Sequence, residues 1–447
     1  MAVIHTLIDL FNKMEKKSIK ILDKKNLLPF VLVSSLFALW GFANNLTDPM
    51  VQAFKKVLEL SNSEAAWIQM AFYGGYFSMA FPAALLMKKY SYKLGIIIGL
   101  SFYSIGALLF YPAAVTEKFW FFCLGLYILT FGLAFLETSA NPYILSLGHK
   151  KTSTQRLNFA QSFNPIGSIA GLFIAQHFVL KNLKSDDIVD FSLLDESSKI
   201  IIKTSDLLII RNPYVILGLV IILILILFII LKMPEIKGSN NDYSVKKIIN
   251  SLINKKNYTL GVLAQIFYVG VQIMCWTYIY QYAEAINVDS VEAGNYQMVA
   301  LILFTFGRGI STYLFRFFKP PLLMLIFSII AITLNLNTIF NQGIHGLYSL
   351  VLISFFMSLM FPTIYGIALK NLSENEAKIG SAGLVMAIVG GALMPKIQGI
   401  IIDIGGSGVS DTTLMGVSEI NFSFILPLVC FLYISCYSYY IIKNPHL

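Results

Sequence analysis

Twelve long apolar segments run through the 447-residue sequence and restrict the folds that it can adopt. A helix needs about 20 apolar residues to cross the hydrocarbon core of a bilayer. Because that core offers no water to backbone polar groups, each segment is expected to be helical. The sequence therefore predicts an all-α membrane protein with twelve transmembrane helices. The predicted spans are residues 28–53, 65–87, 94–114, 119–145, 157–180, 211–232, 258–283, 293–316, 320–340, 345–370, 379–403 and 421–443.

The composition agrees with this class and argues against several others. Hydrophobic residues make up 57% of the chain and charged residues 13%, whereas soluble domains carry about 25% charged residues. The net charge of +9 does not indicate nucleic-acid binding, because membrane proteins collect basic residues in cytoplasmic loops. The four cysteines have no metal-ligand spacing, and no CxxC, HExxH, P-loop or GxSxG motif occurs. We therefore expect neither an enzyme nor a bound metal or cofactor.

The basic residues concentrate in alternate loops, which predicts the orientation of the chain. Six lysines precede the first segment. Residues 1–27 are therefore expected to form either an interfacial amphipathic helix or a loosely ordered basic tail in the cytoplasm. Both termini and the loops that follow segments 2, 4 and 6 share that side. The basic residues of these loops are Lys88, Lys89, Lys93, Lys150, Lys151, Arg156, Lys232, Lys237, Lys246, Lys247, Lys255 and Lys256.

A polar, basic loop at residues 233–257 divides the twelve segments into bundles of six at 28–232 and 258–447. Two stretches of the first bundle have weak counterparts in the second. FLETSANPYILSLG pairs with MFPTIYGIALKNL, and NPIGSIAG pairs with MAIVGGAL. Two six-helix halves joined by a cytoplasmic loop are the plan of the major facilitator fold, whose binding site lies between the halves near the membrane midplane.

A polar cluster, WGFANNLTDPM, interrupts the first apolar segment. Trp40, Asn44 and Asp48 are spaced four residues apart and share one helix face. An aromatic ring can stack on a sugar while an amide and a carboxylate bind its hydroxyls, so this face is a candidate sugar-binding stripe. Asp48 is also a candidate proton carrier, because acids inside a membrane are rare and usually functional.

Glu137 is the second intramembrane acid, and Asn141 shares its helix face in segment 4. Burial disfavours the charged form of a carboxylate, so Glu137 can take up and release a proton as its exposure alternates. The alternative is a structural acid paired with a neighbouring helix. Two acids in one half favour a proton-coupled carrier, although they do not exclude sodium. Asn141 is a candidate sugar ligand.

Segment 5 carries a stripe of amides that includes Asn158, Gln161 and Asn164. Amides both donate and accept hydrogen bonds, which suits sugar hydroxyls. The alternative is hydrogen bonding between helices, which is common in membranes. The nearby glycines of GSIAG are expected to serve close helix packing.

Segments 7 and 10 supply the candidates of the second half. Aromatic rings beside amides again suit a sugar, and simple packing is the alternative. The candidates are Gln265, Gln272 and Trp276 on one face of segment 7, and Tyr365 on segment 10.

Two basic residues lie inside the second half. Lys396 of segment 11 could bind the substrate, pair with Asp403 or extend towards the membrane surface. Arg308, in FGRG of segment 8, is predicted to form a structural ion pair or a gate.

Several stretches together resemble the L-fucose:proton symporter family (the fucose–galactose–glucose symporters) of the major facilitator superfamily. They are LFALWGFANNLTDPM, AFYGGYFSMAFPAALLMKKYSYKLGI, FLETSANPY, RLNFAQSFNPIGS, LAQIFYVGVQIMCWTY and FPTIYGIALKNL. The resemblance covers both halves and implies two pseudo-symmetric six-helix bundles that work by alternating access. It also implies proton-coupling roles for Asp48 and Glu137. The pocket residues that it implies are Asn45, Gln161, Asn164 and Tyr365.

The residues and the resemblance together predict a proton-coupled symporter that imports a monosaccharide, with L-fucose as the first choice. Glucose, galactose and N-acetylglucosamine are alternative substrates, and a non-transporting sugar sensor on the same scaffold is the alternative class. The expected location is the bacterial inner membrane. The expected partners are the sugar, the proton as coupling ion and the lipid bilayer, with no nucleic acid and a monomeric chain.

Overall fold

The computed structural model describes residues 22, 26–58, 62–184, 195–231, 233–234, 244–288, 290–402, 404 and 413–444. Helices dominate this part of the chain. Those of the N-terminal half are α1 Leu27–Val57, α2 Asn62–Lys89, α3 Tyr92–Leu108, α4 Phe110–Thr116, α5 Phe119–Ser146, α6 Ser153–Gln161, α7 Phe163–Ile174 and α8 Glu196–Ile230. A 3₁₀ turn at Lys150–Thr152 precedes α6, and a π turn at Ala175–Val179 and a 3₁₀ turn at Leu180–Asn182 follow α7.

The remaining helices begin inside the predicted linker. They are α9 Val245–Asn254, α10 Lys256–Thr277, α11 Ile279–Ala285, α12 Ser290–Leu314, α13 Pro320–Phe340, α14 Ile344–Met357, α15 Met360–Ala368, α16 Glu374–Met386, α17 Gly390–Ile402, α18 Glu419–Ser423 and α19 Ile425–Lys443. A 3₁₀ turn at Ala387–Val389 joins α16 to α17. The short strands β1 Thr413–Leu414 and β2 Val417–Ser418 pair antiparallel.

Grouped by their connecting loops, these helices form twelve transmembrane segments, which confirms the predicted fold class. Six segments consist of two consecutive helices: α3–α4, α6–α7, α10–α11, α14–α15, α16–α17 and α18–α19. Eleven stretches in the described part of the chain are long and apolar enough to cross a membrane. The remaining segment, α6–α7, falls short because amides occupy its first half.

The structure corrects the bounds of two predicted spans. Segment 5, expected as one span at 157–180, begins at Ser153 and, like the five other two-helix segments, is interrupted, here at Ser162 between α6 and α7. Segment 6, expected at 211–232, begins much earlier at Glu196. The Asp195 side chain caps α8 by accepting a hydrogen bond from the backbone N–H of Ser198 at 3.2 Å, and such a cap favours the start of a helix.

Glycines bring α7 against α1. A Cβ on Gly167 would lie 1.7 Å from the carbonyl oxygen of Ala38, and one on Gly171 would lie 2.4 Å from that of Phe42. These distances leave no room for a side chain. The GSIAG run therefore serves close packing, as predicted, and the contact holds the amide stripe of segment 5 beside segment 1.

The two halves meet through α16, which packs against α2 and α5, and through α6, which packs against α12 and α15. These contacts lie next to the loops that follow segments 2, 4, 8 and 10, on the side predicted to be cytoplasmic. Several side chains donate hydrogen bonds across this contact, and three of these bonds come from Gln155, Asn158 and Ser381. They run from Gln155 Nε2 to Thr312 O at 3.0 Å, from Asn158 Nδ2 to Thr363 Oγ1 at 3.3 Å and from Ser381 Oγ to Thr138 O at 3.2 Å.

Candidate functional site

Glu137 lies at the centre of the candidate site, in the second half of α5. Only 1% of the residue is exposed, and its Oε2 makes no hydrogen bond within the described residues. The amide of Asn141, one turn along α5, donates to the Glu137 carbonyl oxygen at 3.0 Å. Asn141 Oδ1 in turn accepts a hydrogen bond from Gln161 Nε2 at 2.7 Å. A chain of amides therefore connects segment 5 to the helix turn that carries the acid.

An aromatic pair joins α1 to α2, next to the helix that carries the acid. Trp40 is 7% exposed, and its Nε1 donates to the hydroxyl oxygen of Tyr76 at 2.5 Å. The two rings stack with their centroids 6.5 Å apart. Both α1 and α2 pack against α5, the helix that carries Glu137.

The amides of segment 1 and Asn164 have different surroundings. Asn44 Oδ1 is buried without a hydrogen-bond partner in the described part of the chain, so it is open to a ligand. Asn45 Nδ2 donates to Gly41 O of its own helix at 3.2 Å. Asn164 Nδ2 donates to the α1 backbone, at Phe37 O, at 3.2 Å. The backbone of Asp48 belongs to α1, but its side chain lies outside the described residues, so its role stays a prediction.

The candidates of the C-terminal half line α10 and α15. Gln265 is fully buried, and neither of its amide atoms finds a partner among the described residues. Gln272 is half-buried on the same face of α10, about two turns after Gln265. Trp276 Nε1 donates to Ser354 Oγ of α14 at 3.2 Å. Tyr365 is fully buried and stacks on Phe361 at 6.3 Å. Gln265 therefore has the freest polar atoms of this group.

Lys396 lies apart from these buried candidates. It is exposed, and it lies on the same side of α17 as Leu393 and Ile400, which are 51% and 62% exposed. The fully buried Gln398 points to the opposite side of the helix. Asp403, its predicted partner, lies outside the described residues. A role for Lys396 in substrate binding stays a prediction.

Comparisons with known proteins identify the family. The model of the Major Facilitator Superfamily matches residues 32–398. The chain is 53% identical to an L-fucose-proton symporter of Haemophilus influenzae over 94% of this chain and 98% of that protein. It is 30% identical to a glucose/galactose transporter of Brucella abortus over 90% of this chain and 91% of that protein.

The fold matches equally well. A crystal structure of the transporter FucP in the outward conformation has a TM-score of 0.83 to this chain, with 36% identity over 92% of this chain and 98% of that one. The chain belongs to the L-fucose:proton symporter family of the major facilitator superfamily. It is a multi-pass membrane protein, and the relatives that it matches are transporters rather than enzymes.

Arg308 connects the halves of this major facilitator fold at two helix ends. It is 3% exposed, and its Nη1 donates to Gln161 O of the other half at 2.9 Å. Its Nε donates to Ser358 O of its own half at 2.8 Å. Pro165 and Pro362 follow these carbonyls by four residues and have no N–H, so no intrahelical bond competes for the two oxygens. Arg308 thus contacts backbone carbonyls and acts between the halves.

Pro142 has the same effect on the third carbonyl at this contact. It follows Thr138 by four residues within α5 and leaves the Thr138 carbonyl without an intrahelical donor. Ser381 of α16 donates to that carbonyl. The prolines of FLETSANPY, SFNP and MFPT therefore free three carbonyl oxygens that accept hydrogen bonds at the contact between the halves. The sequence analysis did not assign this function to them.

Tyr76 is the site residue that sequence analysis missed. It is one of 23 tyrosines, and nothing in the run AFYGGYFSMAF separates it from tyrosines that only pack. Its hydrogen bond with Trp40 depends on the packing of α1 against α2. The spacing of residues within one helix therefore could not predict it.

Proposed function

We propose that this chain imports L-fucose together with a proton across the bacterial inner membrane. The observation that carries the proposal is the buried Glu137 carboxyl, whose Oε2 has no hydrogen-bond partner among the described residues. A permanently charged carboxylate in such surroundings is costly, so the geometry suits a group that is protonated during part of the cycle. L-fucose is favoured because the fucose-proton symporter relative is 53% identical and the glucose/galactose relative is 30% identical.

The residues divide into two roles in this proposal. Glu137 carries the proton, and Asp48 is proposed to assist it from segment 1. The sugar lies between Trp40 of one half and Tyr365 of the other, where ring faces can stack on it. The amides that exchange hydrogen bonds with its hydroxyls are Asn44, Asn45, Asn141, Gln161, Asn164, Gln265 and Gln272. Trp276 and Lys396 are proposed as further contacts from α10 and α17.

The cycle follows from the contact between the halves, 28–232 and 258–447. They touch on the predicted cytoplasmic side, so the site opens to the outside in this state. Protonation of Glu137 removes the buried charge and lowers the cost of closing the site around the sugar. The halves then rock about the site and release both ligands to the cytoplasm. Each elementary charge moved inward gains about 2.3 kcal/mol per 100 mV, which is sufficient for tens-fold accumulation.

The orientation and assembly are part of the same proposal. Both termini and the linker at 233–257 face the cytoplasm, because the basic loops lie on that side. The linker helix α9 is held to the transporter through Lys255, whose Nζ pairs with Glu376 Oε1 at 2.7 Å. One chain contains both halves of the site, which supports a monomer as the working unit.

The experiment measures external pH in a lightly buffered, de-energised suspension of cells that express the protein. L-fucose is added first, followed in separate samples by galactose, glucose and N-acetylglucosamine. Alkalinisation with L-fucose and not with the others is the expected result. Alkalinisation with one of the other sugars would identify that sugar, instead of L-fucose, as the substrate. Uptake of labelled sugar without a pH change would contradict proton coupling, and the absence of both would favour a sensor.

A further inference from the structure

We propose that Asn158 and Thr363 form a release subsite, which binds the hydroxyls of the sugar after it leaves Gln161 and before it reaches the cytoplasm. The inference rests on the proposed sugar–proton symport and gives a role to the amide of segment 5 that the proposed binding site leaves out. Asn158 belongs to α6 of the N-terminal half and Thr363 to α15 of the C-terminal half. A sugar between them would therefore contact both halves.

The subsite lies in a polar seam where α6 packs against α15. At the predicted cytoplasmic end of the seam, a Cβ on Gly366 would lie 2.9 Å from Thr154 Oγ1. One turn deeper, Asn158 Nδ2 donates to Thr363 Oγ1 at 3.3 Å. Gln161 follows three residues later, which places it about 4.5 Å further along the axis of α6. Polar or small residues therefore lead, turn by turn, from the proposed sugar site towards the cytoplasmic side.

A second hydrogen bond fixes the orientation of the Asn158 amide. Nδ2 also donates to the Thr154 carbonyl oxygen at 3.0 Å. A backbone carbonyl can only accept, so the nitrogen must lie on this side and the oxygen on the other. Asn158 is fully buried, and its Oδ1 has no hydrogen-bond partner in the described part of the chain. The closed seam thus leaves a buried acceptor unpaired, which costs free energy.

A bond between the halves explains the nitrogen of this amide but not its oxygen. The neighbouring Leu157 and Ala160 are equally buried and apolar, so burial at this level of α6 does not require an amide. When the halves separate on this side, Oδ1 can accept a hydrogen bond from a sugar hydroxyl. Nδ2 and the hydroxyl of Thr363 lose each other as partners at the same moment, and both groups suit a sugar hydroxyl.

The subsite therefore exists only while the halves are apart on the cytoplasmic side. A sugar that leaves Gln161 reaches Asn158 after a step of about 4.5 Å, one turn of α6, and then meets Thr154 at the surface end of the seam. In the contacting state the same groups are sealed between the halves. Asn158 should accordingly affect sugar binding from the cytoplasmic face and not from the outer face.

The test measures the KM for L-fucose separately on each face of vesicles that contain the purified full chain in one orientation. Exchange of labelled for unlabelled sugar is followed while the concentration is varied on one face, with the same pH on both. Asn158→Ala is expected to raise the KM on the cytoplasmic face by about 2- to 12-fold, the effect of one net hydrogen bond. Thr363→Val, which removes only the hydroxyl, should change it in the same direction.

Gln155→Met is the matched control for the loss of a bond between the halves. Gln155 Nε2 donates across the same contact, to Thr312 O of α12 at 3.0 Å, and methionine keeps an unbranched side chain. Loss of this bond makes separation of the halves easier and removes no group of the subsite. The KM on the cytoplasmic face should therefore stay constant or fall in Gln155→Met, which is the opposite of the change expected for Asn158→Ala.

The two subsite variants provide independent evidence, so the proposal stays testable if one of them does not fold. A folded variant whose KM on the cytoplasmic face behaves like that of Gln155→Met would remove its residue from the subsite and leave it only a bond between the halves. A wild-type protein that does not exchange L-fucose across the vesicle membrane would instead overturn the proposed function.

Discussion

Arg308 offers a direct test of how the two halves are held together, because its guanidinium reaches both of them. The bond from Nη1 to Gln161 O crosses between the halves, and the bond from Nε to Ser358 O stays within the C-terminal half. Replacing Arg308 by Met removes both donors and keeps an unbranched side chain. Only the loss of the bond to Gln161 O changes the balance between the two states, because this bond forms when the halves touch on this side and breaks when they separate.

The expected size follows from one charge-assisted hydrogen bond. Such bonds contribute about 1.5–3 kcal/mol, and each 1.4 kcal/mol is about tenfold in a population ratio. Arg308→Met should therefore shift the ratio of contacting to separated halves by about 10- to 150-fold towards separation. Pro165→Ala should act in the same direction with a smaller effect, because the restored N–H competes for the Gln161 carbonyl.

The assay is a distance distribution between spin labels placed at Lys89, the last residue of α2, and at Lys370, which follows α15; both positions are exposed and lie beside this contact. Cys436, the exposed native cysteine among four free thiols, is replaced by Ser so that only the introduced sites react. Without sugar, the wild type should show mainly short distances, because the proposed cycle starts with the halves in contact on this side. Arg308→Met should show a larger population at long distance.

Arg211→Met is the matched control for loss of an arginine. Arg211 packs over the Tyr111 ring at 4.9 Å on α8, and its guanidinium bonds Asn212, so the contact between the halves does not involve it. Its distance distribution should equal that of the wild type. If folded Arg308→Met protein showed an unchanged distribution, the guanidinium would not hold the halves together. The carbonyl that Pro165 leaves free would then have no role in this contact.

Three further predictions concern the site and the helix contacts. Glu137→Gln should abolish proton-driven accumulation of sugar and keep exchange; accumulation against a gradient by this variant would remove Glu137 from the coupling role. Gly41→Ala should lower thermal stability by about 1–3 kcal/mol, because its Cβ would lie 2.0 Å from a carbonyl oxygen of α7, whereas Gly309→Ala, with nothing within 4 Å, should not. Gln161→Ala should raise the KM for L-fucose by about tenfold or more as a buried hydrogen bond to the sugar is lost, while Asn182→Ala, an exposed amide bonded to His177 O, should leave KM unchanged.

Much of the fold was readable from the sequence because membrane insertion acts on local properties. The length and hydropathy of each apolar run predicted twelve segments, and the orientation that the basic loops indicate stays a prediction. The same logic located the intramembrane acid Glu137, because a carboxylate stands out in an apolar run. It did not predict the interruptions within six segments, of which the one at Ser162 is an example, and it missed the start of α8 at Glu196, before the apolar run begins.

The tertiary structure decided which of these polar groups meet. Trp40 and Tyr76 are 36 positions apart, and Gln161 and Arg308 are 147 apart. Their contacts depend on how helices from different parts of the chain pack, and helix periodicity describes only one helix at a time. The sequence by itself determined which segments lie in the lipid bilayer and which polar side chains each segment contains. The packing decided the partners, because a hydrogen bond requires two groups to be placed within about 3 Å of each other.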